Sequence, residues 1–244
     1  MDDHNSLIEA FTEMAPRYEK VVDSELRLFW GWSYDQFVTQ ILSQTPLKEN
    51  DRILDIATGT GVIPMRILKT GDHNHSIHGL DITYAMLKHA KLRFSRAGFE
   101  QTPKFTCASA MEMPYRSQVY DTVLCGLATH HMDVPSLLSE SYRVLKPGGQ
   151  LSITDVGGSP LWRIPVIRFF VSTIAFVYFL FKENLDRAWA EATAVPNLRT
   201  SERWASALKG QGFEEITIKV LTSRFSWIPE PLAIRANKPW RDNK

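Results

Sequence analysis

Arg52-Ile53-Leu54-Asp55-Ile56-Ala57-Thr58-Gly59-Thr60-Gly61-Val62-Ile63-Pro64 is the stretch on which the reading of this chain turns. Ile53, Leu54 and Ile56 make a short apolar run of the kind that forms a strand buried on both faces. Thr58-Gly59-Thr60-Gly61 breaks it, and Val62 to Leu68 then reads as a helix, with Pro64 tolerated in its first turn. Strand, glycine turn and helix N-terminus together present free backbone N–H groups above a sheet edge. Glycine has no Cβ, so a ligand can lie there against bare backbone.

The residues around the turn narrow the ligand. A dinucleotide fingerprint needs a further glycine three residues after Gly61, where Pro64 stands, and the Gly-Lys-Ser/Thr of a phosphate-cradling loop is absent. Two acids are present instead. Asp55 closes the first strand, and Asp81 ends the next apolar run, Ile77-His78-Gly79-Leu80, 20 residues beyond Gly61. An acid at that place can accept both hydroxyls of a ribose. Asp55 would repel a pyrophosphate but suits a positive amino group. Ribose plus cation describes S-adenosylmethionine.

Asp55-Ile56-Ala57-Thr58-Gly59-Thr60-Gly61 followed by Gly79-Leu80-Asp81-Ile82-Thr83 resembles the class I S-adenosylmethionine-dependent methyltransferases. The resemblance implies a cofactor pocket built from Asp55, Ala57, Thr58, Gly59, Thr60, Gly61, Asp81, Ile82 and Met86. Phe11-x-x-x-Ala15-Pro16-Arg17-Tyr18-Glu19 is similar to the N-terminal segment of the ubiquinone/menaquinone C-methyltransferase group, with Glu19 for the usual Asp. That likeness implies Tyr18 at the cofactor mouth. Ser109-Ala110-Met111-Glu112-Met113-Pro114-Tyr115 matches the segment written Asp-Ala-x-x-Leu-Pro-Phe, whose Asp accepts the adenine amino group. Ser109 can accept only weakly and without charge. Ala110 and Met111 beside it, and Leu127 after the fourth strand, complete the implied pocket. Arg143-Val144-Leu145-Lys146-Pro147-Gly148-Gly149 is a further match, mechanically a helix stop and turn into the fifth strand. Asp121 resembles the family's acid at a strand start, a structural position.

The expected fold is α/β, a doubly wound, Rossmann-like methyltransferase sheet of seven strands, mostly parallel. One domain of 244 residues is ample for a core. It divides into an N-terminal helical cap (1–48), a cofactor-binding core (49–156), a lid insert (157–198) and a C-terminal helix with two strands (199–244). Strands are expected near 53–56, 77–80, 104–108, 120–127, 150–154, 216–221 and 232–236. Helices are expected within 6–44 and over 62–68, 84–97, 134–144 and 199–209, with Thr83 as a cap and Gly98 as a stop.

With 28 basic and 27 acidic residues, a net charge of +1 and no basic cluster, there is no electrostatic case for nucleic acid. Cys107 and Cys125 lack metal-like spacing and read as reduced core thiols of a cytoplasmic protein. The polar, acidic start gives no sign of a secretory leader. His73, His75 and His78 lack matching acids or cysteines, so no metal site is expected.

Thr129-His130-His131-Met132-Asp133 follows the fourth strand, on the side where parallel sheets bind ligands. Methyl transfer needs alignment and, for an O–H, N–H or enol acceptor, removal of a proton. His130 or His131 suits the second task, since histidine titrates near working pH. Asp155, ending the fifth strand, is a candidate for orienting the acceptor or acting as base.

Between Val166 and Phe181 only Arg168, Ser172 and Thr173 are neither apolar nor aromatic. These 16 residues reach roughly 24 Å as a helix, short of the ~30 Å hydrocarbon core. The segment reads as a lid over a small lipophilic acceptor, quinol-, polyketide- or other natural-product-like, with Phe170 and Phe176 as contacts. Arg163, Arg168 and Lys182 allow the stretch 161–181 to touch a membrane surface as well. Core packing or a dimer face is the remaining reading, so monomer and homodimer both stay open. Rival functions are a cofactor-binding enzyme of a non-methylating reaction, such as a cyclase, and a non-catalytic membrane- or partner-docking module.

Overall fold

The computed structural model describes residues 3–70, 75–99, 102–225 and 228–240. Three helices, α1 (Asp3–Met14), α2 (Tyr18–Phe29) and α3 (Tyr34–Ser43), precede β1 (Arg52–Ile56). There follow α4 (Val62–Lys69), β2 (Ser76–Asp81), α5 (Tyr84–Ala97), β3 (Lys104–Cys107), β4 (Tyr120–Gly126), α6 (Val134–Val144) and β5 (Leu145–Asp155). The insert supplies α7 (Pro165–Lys182) and α8 (Leu185–Ala194), and the chain ends in α9 (Ser201–Gln211), β6 (Glu214–Val220) and β7 (Leu232–Asn237). The strands form one sheet in the order β3-β2-β1-β4-β5-β7-β6. The first five are parallel, while β7 runs antiparallel to both β5 and β6.

The expected doubly wound, seven-stranded sheet is therefore the observed one. Ile53, Leu54 and Ile56 are fully buried because β1 is central, with β2 on one side and β4 on the other. Leu54 and Ile56 face a core with Leu80, Val123, Ile153 and Trp204, whereas Ile53 faces Val38, Ile41, Ile63 and Ile67. This alternation puts helices on both faces. The carboxyl ends of the parallel strands then share one edge, where Asp55, Asp81 and Asp155 end β1, β2 and β5 nearby or at the last residue.

Several local readings need correction. The fifth strand begins at Leu145, not Gln150. Tyr120 pairs with Leu145 and Thr122 with Gln150, so the Lys146-Pro147-Gly148-Gly149 turn is looped out of the ladder as a bulge. Cys107 is exposed, because β3 is the edge strand, whereas Cys125 is buried as expected. Thr83 is the N-cap of α5, but its side chain makes no bond to the helix. Its backbone N–H donates to Asp81 Oδ1 at 2.8 Å instead. His73 lies outside the described residues. His78 Nδ1 stands 2.7 Å from the Tyr120 hydroxyl, an internal pairing. Asp121 is structural as expected, accepting from the Arg52 amide at 2.9 Å and from Lys146 Nζ at 2.7 Å.

Gly79 leaves room for Phe105 of β3 and Thr58 of the glycine turn to pack against β2. A Cβ there would meet the Phe105 ring at 2.8 Å and Thr58 Cγ2 at 2.9 Å. Gly79→Ala should therefore lower stability by about 1–3 kcal/mol through overpacking. Urea denaturation checks this, and an unchanged midpoint would contradict it.

Candidate functional site

The turn after β1 is held by backbone geometry and by the end of β2. Ala57, Gly59 and Gly61 all have positive φ, at 51°, 54° and 77°. Only the glycines adopt that region without strain. Thr58 N–H donates to Leu80 O at 3.0 Å and Gly59 N–H to Asp81 Oδ2 at 2.8 Å. Asp81 is thus a clamp on the turn as well as part of a cavity wall, and burial pushes its carboxyl up to about 6 despite the amides it accepts. Asp55 lies behind the turn, buried, with neither carboxylate oxygen in a hydrogen bond. Burial pushes it up to about 7.

The loop after β4 is pinned by Asp155. Asp155 Oδ2 accepts from Thr129 N–H at 2.6 Å and from the Thr129 hydroxyl. Its Oδ1 stands 2.8 Å from His130 Nδ1. Burial opposes ionisation of Asp155, but these partners outweigh it and hold the carboxyl below its usual range. Burial likewise disfavours the His130 imidazolium, yet the Asp155 charge and hydrogen bond prevail and raise its pKa. His131 moves the other way, lowered by burial and by its neighbour His130. Two adjacent histidines therefore differ in character. His130 is oriented by a carboxylate that favours its charged form, whereas the charged form of His131 is disfavoured.

A second cavity of about 510 Å³ lies beneath α7. Val22, Leu26, Phe29 and Trp30 form one wall, and Val171, Ile174, Ala175, Tyr178 and Phe179 of the insert form another. The lid contacts expected at Phe170 and Phe176 are not among these. Phe170 turns outward, 59% exposed, and Phe176 packs against Trp189 with ring centroids 5.1 Å apart. Phe176, two residues from both Ile174 and Tyr178, lies on another face of α7, whereas Phe170 shares their face one turn earlier but does not line the cavity. One end of the cavity is polar, formed by His130, His131, Glu25, Arg187 and Glu191. Phe11, Tyr18, Leu127 and His131 line both this cavity and the one at the glycine turn. These four side chains stand between the two spaces.

His130, His131 and Glu191 also approach within 4.8 Å of one another, close enough for a metal. The donor set speaks against one. Arg187 Nη2 already holds Glu191 Oε1 at 2.8 Å, and a guanidinium beside that carboxylate would repel a cation.

Comparison with known proteins adds an independent line. Residues 54–153 match the family model described as a methyltransferase domain. The demethylmenaquinone methyltransferase of Symbiobacterium thermophilum is 27% identical over 164 residues, which is 67% of this chain and 63% of that protein. The ubiquinone/menaquinone biosynthesis C-methyltransferase of Rickettsia akari is 32% identical over 145 residues, 57% of this chain and 56% of that one. The chain thus spans less than two thirds of the length of these relatives. Geranyl diphosphate C-methyltransferase from Streptomyces coelicolor, solved with magnesium, geranyl diphosphate and S-adenosylhomocysteine, superposes with a TM-score of 0.67. It is 15% identical and covers 91% of this chain and 84% of its own, which speaks to the fold alone. Residues 54–153 thus match a methyltransferase domain.

S-adenosylmethionine is the cofactor of such a domain, and the residues present fit it. The orphaned Asp55 carboxylate is a buried acceptor without a partner, suited to an ammonium group. Above Gly59 a Cβ would meet nothing nearer than Tyr18 at 3.9 Å, so the turn is open to a ligand. Of the residues expected around the cofactor, Tyr18, Ala57, Gly59, Asp81, Ile82, Met86, Ala110, Met111 and Leu127 line the first cavity. Asp55, Thr58, Thr60, Gly61 and Ser109 do not. Thr60 donates to Glu19 Oε1 at 2.9 Å, and Glu19 also pairs with Arg93. Gly61 packs against Phe94 and Ala90. Ser109 Oγ accepts from its own turn, from Met111 N–H at 3.2 Å, rather than facing the cavity. Asp155 is also corrected: it is buried behind His130 and lines neither cavity. Sequence reasoning missed Glu25, Arg187 and Glu191. They lie on α2 and α8, far apart in sequence from the loop they face, and no motif signals them.

Two substitutions separate the acids of the methyltransferase domain. Asp81→Ala should weaken binding of S-adenosylhomocysteine about tenfold or more by calorimetry. Asp55→Asn should do the same yet stabilise the ligand-free protein at pH 8. The sign follows from an acid whose folded pKa, about 7, exceeds its ordinary value of 3.8. The folded state then binds more protons, so stability falls as pH rises across that window, and the amide abolishes the loss. A lower melting temperature for ligand-free Asp55→Asn at pH 8 would contradict this.

Proposed function

We propose that this chain transfers a methyl group from S-adenosylmethionine to a small lipophilic acceptor held beneath α7. The observation that carries the reading is the shared wall of Phe11, Tyr18, Leu127 and His131 between the two cavities. A group at the glycine turn and an acceptor under the lid would approach each other across those side chains. The relatives named above, one a demethylmenaquinone methyltransferase, support an acceptor of that apolar class. On this reading residues 49–156 hold the cofactor, 1–48 and 157–198 enclose the acceptor, and 199–244 complete the sheet.

The bound cofactor supplies a methyl carbon already activated by its sulfonium. The protein's tasks are to align, to exclude water and to take a proton. Asp81 would hold the ribose hydroxyls and Asp55 the amino group. His130, its Nδ1 committed to Asp155, has Nε2 to accept the acceptor's proton as the new bond to the methyl carbon forms. Asp155 acts through His130, fixing its tautomer and stabilising its charged form.

The outer side of α7 supports a second part of the reading. Phe169, Phe170 and Phe181 are 66%, 59% and 86% exposed. Among the described residues α7 is the one helix long and apolar enough to cross a membrane. However, its other side lines the cavity and it packs along α8. From Gly157 to Lys182 the sequence has three basic residues and no acid. A second copy meeting this face by two-fold symmetry would set those cations against their own kind. The occupant we infer is an anionic bilayer surface, on which the helix rests lengthwise. The same reading puts the protein in the cytoplasm at that surface.

His130→Gln should lower kcat by roughly 10²–10⁴ and leave S-adenosylhomocysteine affinity unchanged. Asp155→Asn should lower the rate and move the acidic limb of the pH–rate profile to lower pH, because the carboxylate is what raises His130. The assay follows methylated products by mass spectrometry after incubation with a lipid extract and S-adenosylmethionine. Full turnover in His130→Gln would remove it from the chemistry. For the membrane, wild type should float with phosphatidylglycerol vesicles and less with phosphatidylcholine, and Phe170→Ser/Phe181→Ser should stay at the bottom. Sedimentation as a stable dimer without vesicle binding would overturn that part.

A further inference from the structure

The polar end of the acceptor cavity is built around a guanidinium that is not used up. Arg187 is 6% exposed and Glu25 9%. Arg187 Nη2 binds Glu191 Oε1 at 2.8 Å and Glu25 Oε2 at 3.3 Å. The guanidinium lies over the rings of Phe11 and Phe179, with its carbon 5.3 and 5.2 Å from their centroids. Both contacts to carboxylates go through one nitrogen. Arg187 Nε and Glu25 Oε1 are buried and have no hydrogen-bond partner. A buried ion pair is a weak device for stability, and leaving a donor and an acceptor unsatisfied makes it weaker. Both residues line the same cavity.

We propose that the Glu25–Arg187 pair is a binding subsite for a second, uncharged oxygen function of the acceptor, separate from the atom that receives the methyl group. This rests on the methyl-transfer reading and adds which acceptors fit. Arg187 Nε donates, and Glu25 Oε1 accepts. A hydroxyl satisfies both at once, whereas a carbonyl satisfies only the first. The charge balance excludes anions. One guanidinium faces two carboxylates, and His131 beside them is held neutral by burial. Even with Glu25 protonated, which burial promotes by raising its carboxyl to about 7, no positive charge is left over for a phosphate or carboxylate. The flanking rings of Phe11 and Phe179 sandwich the guanidinium and fix its plane.

The test is calorimetric binding to the full chain loaded with S-adenosylhomocysteine, using probes of one tail length. These are 3-decylphenol, 5-decylresorcinol, 2-decylhydroquinone and decyl phosphate. At least one dihydroxy probe should bind tenfold or more tighter than the phenol, with decyl phosphate weakest. In Glu25→Leu and Arg187→Met that advantage should shrink to less than about threefold. Glu25→Leu leaves Arg187 paired with Glu191, so it reads the subsite even if Arg187→Met does not fold. Equal or absent binding of the dihydroxy probes, preference for decyl phosphate, or an undiminished advantage in Glu25→Leu would overturn the proposal. None of those results touches the methyl-transfer reading, whose own failure would appear as full turnover in His130→Gln.

Discussion

Three carboxylates buried along one sheet edge constrain everything built above it. Removing an ionised carboxylate from water costs several kcal/mol unless partners replace the solvent. Asp155 is answered by Thr129 and His130, and its pKa falls. Asp81 is answered in part, by the amides of Gly59 and Thr83, and its pKa rises to about 6. Asp55 has only the Thr58 side chain to favour its charge and rises to about 7. The gradient runs from a residue that organises protein to one that awaits a charged guest. The two incompletely answered acids flank the glycine turn, and the satisfied one sits behind the histidine that faces the cavity under α7.

That arrangement divides the work between rigid and adaptable parts. Parallel strands fix the acids, because β1, β2 and β5 are locked in register by their neighbours. The acceptor side is made by helices instead, and α7 serves two surfaces at once. Its inner residues wall the cavity, while its outer aromatic residues stand in the open. Arg17 ties the far end of α7 to the cap through Glu183 at 2.5 Å, so the lid is anchored beyond its apolar contacts.

The cofactor half was legible in the sequence because it is local. Strand, turn and helix occupy consecutive residues, and the acid pair Asp55 and Asp81 is spaced by one βα unit. Where reading failed, a non-local partner decided the outcome. Ser109 stood where the family carries an acid, but its hydroxyl closes its own turn on Met111. Gly148 and Gly149 signalled a turn, yet β5 already pairs with β4 at Leu145. Cys107 read as core because it falls in a predicted strand without metal-like spacing, and its place at the sheet edge is a property of topology. Glu25, Arg187 and Glu191 were invisible for the same reason. A charged residue on an amphipathic helix reads as solvated until another helix covers it.

The central claim is that the two cavities form one reaction path across Phe11, Tyr18, Leu127 and His131. A crystal structure of the chain with S-adenosylhomocysteine tests this most directly. The account predicts the thioether sulfur at that shared wall, the ribose hydroxyls on Asp81, and a line of sight from sulfur to His130 through the cavity under α7. A sulfur directed to solvent, or sealed from the larger cavity by Tyr18 and His131, would contradict it.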